Sequence, residues 1–521
     1  MGGHLFVLRG DLTKLHCSAI LIPCDSQWHV VKRHWGGILP EGCLGKPNYA
    51  GWAPFRPRGT GRFTDAVTDG DRWVRLVVTA DGKYANLEET ARWVADGVVE
   101  AITDWPKAEL PTPTGRVKPL IGLPLVGTGA GGFGAKRGVL IDALIPALQK
   151  AARDRDVDIA LVLIDERDHA AVQAVRSAED WDALAEERPD SADLLRIADD
   201  LGDKAARREL SLFLGSGVSV PLGLPDWKIL LEIARGEEIE DFDPEEAPDI
   251  AQCIEQEHSR EALTRAIEDN LKVSGVAPTH MLLAALSADQ SVTTNYDTAY
   301  EDALTSAIGD GKYSVLTGQL ALQPHPWLLK YHGCVKRPKT IIITRDDYNR
   351  LRRDFGALQS IVESLMLTSH LMFVGFSMAD ADFLDAAERV KTVREQADNQ
   401  ESHDVATVLA LHPQAVLEQA HFKVVSMLDD PSDKSAARLL EIFLDRISWK
   451  ATTSGPASSS YLLDPNYRDL FAGHGPTEEL RTLLDGLAGR LHTNDPISRA
   501  KGWDKVADML QKLGAREQRQ N

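Results

Sequence analysis

Four short segments collect the residues best suited to chemistry. The first, SLFLGSGVSVPLGLPDW at 211–227, is an apolar run entering Gly215, Ser216, Gly217, Val218 and Ser219, followed by a second turn that ends in Asp226. Small residues at the carboxyl end of a strand let backbone N–H groups approach a pyrophosphate closely. A GxG turn also serves plain tight packing, so the other three segments decide its weight. SVTTNYD at 291–297 brings Asn295 and Asp297 to a strand end. LLKYHG at 328–333 brings His332 and a close-approach glycine. LMFVGFSMADAD at 371–382 ends in Gly375 and Ser377, with Asp380 and Asp382 behind. An imidazole with its ordinary pKa near ~6.5 can accept a proton, and polar groups at the mouths of several strands mark where open α/β sheets bind ligands. The bland alternatives are a strand-capping histidine for His332 and a turn-forming Asx for Asn295. His280, His325 and His370 lie in no such motif and read as structural.

A second glycine-rich run, GTGAGGFG at 127–134, follows the apolar IGLPLV and precedes a helical pattern at 138–153. It satisfies GxGxxG literally. A dinucleotide fingerprint also needs an acid about 20 residues on, at the end of the next strand. Here those positions still belong to the helix or its exit, so that reading fails.

Elements that position these residues follow from hydrophobic periodicity. Apolar runs at 4–8, 19–22, 74–78, 119–124 and 158–164 predict strands, and spacings of three and four predict helices over 87–105 and 138–153. Strands alternating with helices give an α/β layered sandwich. Segment 27–68, rich in Gly, Pro and Trp, predicts long loops. A second α/β block, expected to be doubly wound, has strands at 211–214, 291–294, 341–343, 371–374, 405–411 and 422–427 with helices such as 252–272 and 281–287. Between the blocks, 177–210 predicts an exposed helical connector. SGPASSS at 454–460 predicts a flexible linker before short amphipathic helices at 477–491 and 497–513.

Charge and cysteine content bound the partners. With 58 Lys+Arg against 78 Asp+Glu, the net charge of -20 disfavours broad binding to nucleic-acid backbones. Eight of the acids fall in the fourteen residues 236–249, read as a solvated loop or as an acidic flap beside the glycine turn. None of the five cysteines forms a CxxC pair, which excludes a four-thiolate zinc site and suits a reducing cytoplasm. No run approaches the ~18 apolar residues of a membrane span.

Taken in order, GSGVSxxxGLPDW, TTNYD, YHG and VGFSxxD resemble the sirtuin-like NAD-binding fold. The likeness is greatest to its bacterial defence branch, as in Thoeris effectors and proteins associated with short Argonautes, and spans about 211–449. The resemblance implies that Gly215, Ser216, Gly217 and Ser219 cradle NAD phosphates and that Asp226 lies on the cofactor side. It implies that Asn295 and Asp297 line the nicotinamide and ribose pocket. It makes His332 the catalytic histidine, with Gly375 and Ser377 on the adenosine side. Deacylating sirtuins carry a four-cysteine zinc module that this chain cannot build, so the resemblance favours cleavage of NAD itself, with NAD as substrate, no cofactor and no metal.

The amino-terminal block resembles macrodomains. Gly10, Asp11, Leu12 and Thr13, then Leu15 and Ala19-Ile20, are similar to the opening GDIT…DAIV signature, and LPLVGTGAGGFG to the second phosphate loop. By this resemblance Asp11 contacts adenine, and Gly129, Gly131, Gly132 and Gly134 wrap a diphosphate. Pro23-Cys24-Asp25-Ser26 replaces the usual asparagine-rich loop, and Ser18 stands where Asp is usual, which favours binding over hydrolysis.

The expected organisation is a macrodomain-like sensing domain at 1–175, a helical linker at 176–210, a sirtuin-like NADase domain at 211–450 and a helical extension at 451–521. The expected protein is a cytoplasmic, homo-oligomeric NAD hydrolase switched by an ADP-ribose-like nucleotide. A non-enzymatic NAD or ADP-ribose sensor, a deacylase or ADP-ribosyl transferase, and cyclisation in place of hydrolysis remain open.

Overall fold

The computed structural model describes residues 2–35, 37–39, 57–69, 72–80, 86–113, 115–129, 132–181, 184, 188, 190–273, 275–317, 326–354, 356–376, 387–393, 406–413, 422–471, 475–491 and 499–515. Its strands form two sheets. The first contains β1 (Leu5–Arg9), β2 (Ala19–Asp25), β3 (Pro57–Arg58), β4 (Phe63–Thr64), β5 (Val67–Asp69), β6 (Arg72–Ala80), β7 (Leu120–Leu123) and β8 (Asp158–Leu163). Their order is β1-β8-β7-β2-β6-β4-β3, with β5 beside β6. The central five strands are parallel, whereas β3, β4 and β5 pair antiparallel at one edge. Each of the five apolar runs predicted as strands is one, because strands buried on both faces read as near-continuous hydrophobic runs.

One face of this α/β/α sandwich packs on helices Leu87–Thr103 and Arg137–Arg155, with Val94, Val98, Leu140 and Leu144 against Leu5, Val7, Ala19 and Leu21. The opposite face, carrying Phe6, Leu8, Ile20 and Ile22, joins a core that also holds Met281, Leu282, Phe443 and Ile447 from the second block. Its covering helices, Pro278–Ala285 and Ala436–Ser454, therefore come from the other half of the chain.

The second sheet is fully parallel. It contains β9 (Leu210–Leu214), β10 (Gln290–Thr293), β11 (Ser314–Leu316), β12 (Trp327–Lys330), β13 (His370–Val374), β14 (Ala406–Ala410) and β15 (Lys423–Ser426) in the order β11-β12-β10-β9-β13-β14-β15. From β9 the chain adds β10 beside it, then β11 at the far edge and β12 between them, before crossing to β13 on the other side. This reversal opens a crevice at the carboxyl ends of β9, β10 and β13.

Several sequence expectations are corrected. Residues 341–343 are not a strand: Ile341 and Ile343 instead fill a small core with Leu230, Ile254 and Tyr296. The single helix expected over 252–272 is two, Ala247–His258 and Arg260–Asn270, broken at Ser259, whose φ is 97° and whose hydroxyl caps the second helix. The connector is not exposed. Trp181 and Leu184 are buried, and helix Ser191–Ala206 buries Leu194, Ala198, Leu201 and Ala205 in the core shared with Ala436–Ser454. Residues 454–460 finish that helix and form a short 3-10 turn, and they do not behave as a loose linker. Beyond it, Tyr467 Oη donates to Asp168 at 2.7 Å and Arg167 meets Asp464 at 2.9 Å, docking the carboxyl-terminal segment on the first block.

Buried ion pairs cross between the blocks. Asp445 receives Arg176 at 2.7 and 3.1 Å and lies 2.9 Å from His4 Nε2. Burial alone would raise its carboxyl, but Arg176 and His4 outweigh that and hold it at about 2. Arg438 grips Asp158 with two bonds of 2.6 and 2.9 Å, and Arg116 bridges Asp158 to Glu441. Removing one member of such a cluster strands the others as uncompensated buried charge. Asp445→Ala is expected to destabilise the protein by about 3–5 kcal/mol, read as a shift of the urea midpoint. A loss below about 1 kcal/mol would mean the cluster is solvated in solution.

Candidate active site

The crevice at the strand reversal holds a cavity of about 640 Å³ lined by Ser216, Ser219, Asn295, Asp297, His332 and Phe376, among others. All six come from the four sequence motifs, which the parallel register brings together. Leu214, Thr293 and Lys330 end adjacent strands, so the residues that follow them emerge side by side.

Backbone contact between β9 and β13 explains the glycines. A Cβ on Gly215 would lie 2.4 Å from the Gly375 carbonyl oxygen, and one on Gly217 would lie 2.8 Å from Gly375 Cα. Gly375, at φ 65°, would place a Cβ 2.5 Å from the Val218 nitrogen. The Gly215 and Gly217 amides donate to the Val374 and Gly375 carbonyls at 3.0 and 2.8 Å, and those of Val218 and Ser219 bond within the turn. Glycine identity here is thus set by two turns packed backbone to backbone. No described residue accepts the Ser216 N–H, and Ser216 lines the cavity.

Asn295 sits two residues beyond Thr293, the end of β10, its own N–H held by Thr293 Oγ1 at 3.0 Å. It is 9% exposed, and its Nδ2 donates to Ser219 Oγ at 3.3 Å. Its Oδ1 is buried and meets no donor among the described residues. A buried acceptor left unmade costs on the order of 1–3 kcal/mol, a cost that a ligand or water in the cavity would remove. The Asp297 carboxylate accepts from Ser219 Oγ and from the Ala299 N–H, both at 2.9 Å. Lys330, buried at the end of β12, reaches the Asp297 carbonyl and pairs with Glu301 at 2.8 Å.

His332 follows β12 by two residues. Its ring lies 5.3 Å, centroid to centroid, from both Tyr331 and Tyr348. Gly333 behind it is forced by close approach, since a Cβ there would fall 2.2 Å from the Thr340 carbonyl. Burial strips water from the imidazolium and lowers the His332 pKa to about 3, so the ring is neutral at physiological pH. The same cause puts His169 at about 3 and His280 at about 4, the latter despite nearby Asp297.

These histidines give a pH prediction with a definite sign. Unfolded, each titrates near ~6.5. Below that pH the unfolded chain binds protons that the native state refuses until near its own low pKa. Their contribution to stability is therefore full above about pH 6.5 and is lost as the pH falls. His169→Gln is expected to flatten the stability-against-pH slope by about 1.4 kcal/mol per pH unit between pH 6 and 4. Urea titrations across that range measure it, and an unchanged slope would place the proton elsewhere.

The remaining wall joins motif residues to Lys228, Arg345 and Tyr348, which lie outside every motif. Trp227, Tyr348 and Phe376 give aromatic surface, and Arg345 and Lys228 give positive charge. The acidic stretch forms part of this wall. Its carboxylates are mostly exposed, Ile239 turns into a small core, and Phe242, Glu245 and Pro248 line the cavity. Arg345 holds Asp249 at 2.6 and 2.8 Å. Both earlier readings thus hold in part: the acids point outward while the apolar side closes the pocket. Asp226 lies at the cavity edge, where its carboxylate caps helix Trp227–Arg235 through the Ile229 N–H at 2.9 Å. Ser377 and the two aspartates behind it lie outside the described residues.

In the first block, Asp11 follows β1 and the 127–134 loop follows β7, both at carboxyl ends of parallel strands. One Asp11 oxygen accepts from Thr13 N and Oγ1 at 2.9 and 2.8 Å. Cβ atoms on Gly129 and Gly132 would meet nothing within 4 Å, and one on Gly134 would be 3.2 Å from the Thr128 carbonyl. Gly131 lies outside the described residues.

A parallel sheet with a cavity at its reversal point is the frame on which open α/β proteins bind ligands. Residues 289–425 match the model of the SIR2-like domain family, a span that includes Asn295, Asp297, His332 and Gly375 and starts after the glycine turn. The chain is similar to the NAD(+) hydrolase ThsA of Acinetobacter baumannii, at 30% identity over 204 residues, covering 37% of this chain and 41% of that one. It is also similar to the NAD(+) hydrolase ThsA of Bacillus cereus, at 28% identity over 206 residues, 38% of this chain and 43% of that one. The chain thus spans about two fifths of the length of these curated relatives. Among solved structures, an Oceanobacillus iheyensis macrodomain variant matches 33% of this chain and 89% of its own, at 18% identity and a TM-score of 0.24. No described helix is long and apolar enough to cross a membrane.

Proposed function

We propose that the chain hydrolyses NAD at the nicotinamide–ribose bond, releasing nicotinamide and ADP-ribose. The carrying observation is the Asn295 side chain, whose buried oxygen meets no donor among the described residues and belongs to a cavity that also holds a neutral histidine. In this reaction the C–N bond breaks with its electron pair leaving on nicotinamide, and a ribose oxocarbenium ion develops. Water adds to that carbon and loses one proton. Asn295 Oδ1 accepts a hydrogen bond from the water or from a ribose hydroxyl and so orients it. His332, neutral, takes the proton. The Ser216 N–H is available to a phosphate oxygen, while Trp227, Tyr348 and Phe376 exclude solvent. The SIR2-like domain and the similarity to two proteins named NAD(+) hydrolase support the reading.

On this reading the chain depletes NAD as a toxic effector in antiphage defence, and the first block binds an ADP-ribose-like nucleotide that switches the hydrolase. Two ligands biasing one equilibrium is what such control requires. The two blocks' shared core supplies a physical route for it. Incubating the purified protein with NAD and separating products by chromatography tests the activity. Nicotinamide with equimolar ADP-ribose supports hydrolysis, a cyclic co-product replaces it with cyclisation, and intact NAD, with and without added ADP-ribose, sinks it.

A further inference from the structure

We infer that His280 is a positioning residue for Asn295, acting through the Ser219 hydroxyl, and that its helix transmits the placement of the first block's segment 10–16 to the cavity. The inference rests on the hydrolase reading and extends it to a residue outside every sequence motif.

His280 is fully buried in the first turn of helix Pro278–Ala285. Its Nδ1 accepts the Ala277 N–H at 3.3 Å, which leaves the ring proton on Nε2. Nε2 lies 3.4 Å from Ser219 Oγ. The carboxylate of Asp297 only accepts, so the Ser219 hydroxyl proton points to it. The Ser219 lone pairs then receive the His280 N–H on one side and the Asn295 amide N–H on the other. This arrangement fixes which end of Asn295 is tied down and leaves Oδ1 as the unmatched end. With His280 gone, the hydroxyl loses one of its two donors and Asn295 its fixed anchor.

The same helix begins at the junction between the blocks. Val276 pairs with segment 14–16 as a short parallel bridge, with bonds of 2.8 Å to the Lys14 carbonyl and 2.9 Å from the His16 N–H. A Cβ on Gly275 would lie 2.7 Å from the Lys14 carbonyl, and Met281 comes within 3.4 Å of a Cβ placed on Gly10. Any movement of segment 10–16, which includes Asp11, is therefore felt four residues before His280.

A double-mutant cycle on NAD turnover tests this with the full chain. His280→Ala is expected to lower kcat by about tenfold with little change in KM, and His280→Gln, which restores a donor near the Nε2 position, to recover part of it. In a Ser219→Ala background the same His280→Ala change is expected to cost less than twofold, because the relay is already cut. Gly275→Ala, which pushes the two blocks' backbones apart, is expected to lower kcat severalfold while Ser219→Ala masks that effect too. Equal fold-losses for His280→Ala in both backgrounds would overturn the positioning role, and unchanged turnover in Gly275→Ala would overturn the transmission. Thermal melting identifies any variant that fails to fold, in which case His280→Gln alone carries the cycle. An inactive parental protein would instead strike down the hydrolase reading beneath it.

Discussion

His332→Ala is expected to lower NAD turnover by about two to four orders of magnitude, the usual contribution of a positioned general base, with secondary structure retained. Its physical basis is that the ring is buried and neutral, with a pKa lowered to about 3 by lost hydration. A base so weak in the empty cavity is fit to accept a proton only as one is released, and it does not sit protonated beforehand. The rate should therefore show no loss attributable to His332 protonation between pH 8 and 5, which separates it from a solvent-exposed histidine titrating near ~6.5. Asn295→Ala is expected to fall by a similar factor for a different reason. It removes an acceptor that no described residue matches, so native stability should change little while turnover collapses. Steady-state assays with melting curves for both proteins measure this. Parental rates in either variant would remove that residue from the mechanism.

Much of this site was legible because parallel strands buried on both faces write themselves as apolar runs. The residues just past each run, Ser216, Asn295 and His332, then fall at one edge of the sheet. The illegible parts are set by tertiary contact. His280 has no motif because its partner, Ser219, lies 61 residues earlier and meets it only when helix Pro278–Ala285 docks. Residues 341–343 carry strand-forming isoleucines, yet the pairing positions beside β10 and β12 are taken by β9 and β11. The connector at 177–210 looked solvated because its acids and bases dominate the composition. Its thin apolar stripe of Leu194, Ala198 and Leu201 was enough to bury one face. Likewise the two blocks read as separate, since no linear pattern shows that one sheet borrows its second helical layer from the other half.

The two glycine-rich turns look alike in sequence and should respond oppositely to one added methyl group. At Gly375 the backbone is left-handed, and a Cβ would sit 2.5 Å from the Val218 nitrogen and 2.8 Å from the Gly217 carbonyl carbon. Neither neighbour is a flexible side-chain tip, so one turn must move off the other. A non-glycine residue in this conformation costs roughly 1–2 kcal/mol, and forcing atoms into a packed site adds about 1–3 kcal/mol. Gly375→Ala is therefore expected to lower stability by about 2–5 kcal/mol and, by displacing Ser216 and Ser219, to abolish turnover as well. At Gly129 a Cβ meets nothing within 4 Å. Gly129→Ala is expected to leave stability within about 0.5 kcal/mol, since surface substitutions away from special features rarely exceed that. If the 127–134 loop wraps a diphosphate, that added methyl still blocks close approach of a ligand and weakens any ADP-ribose response. Urea denaturation of the two alanine variants beside the parent decides the comparison. Equal, small losses would mean that the β9 and β13 turns are not packed against each other in solution, and the close-contact account of Gly215, Gly217 and Gly375 would fall with them.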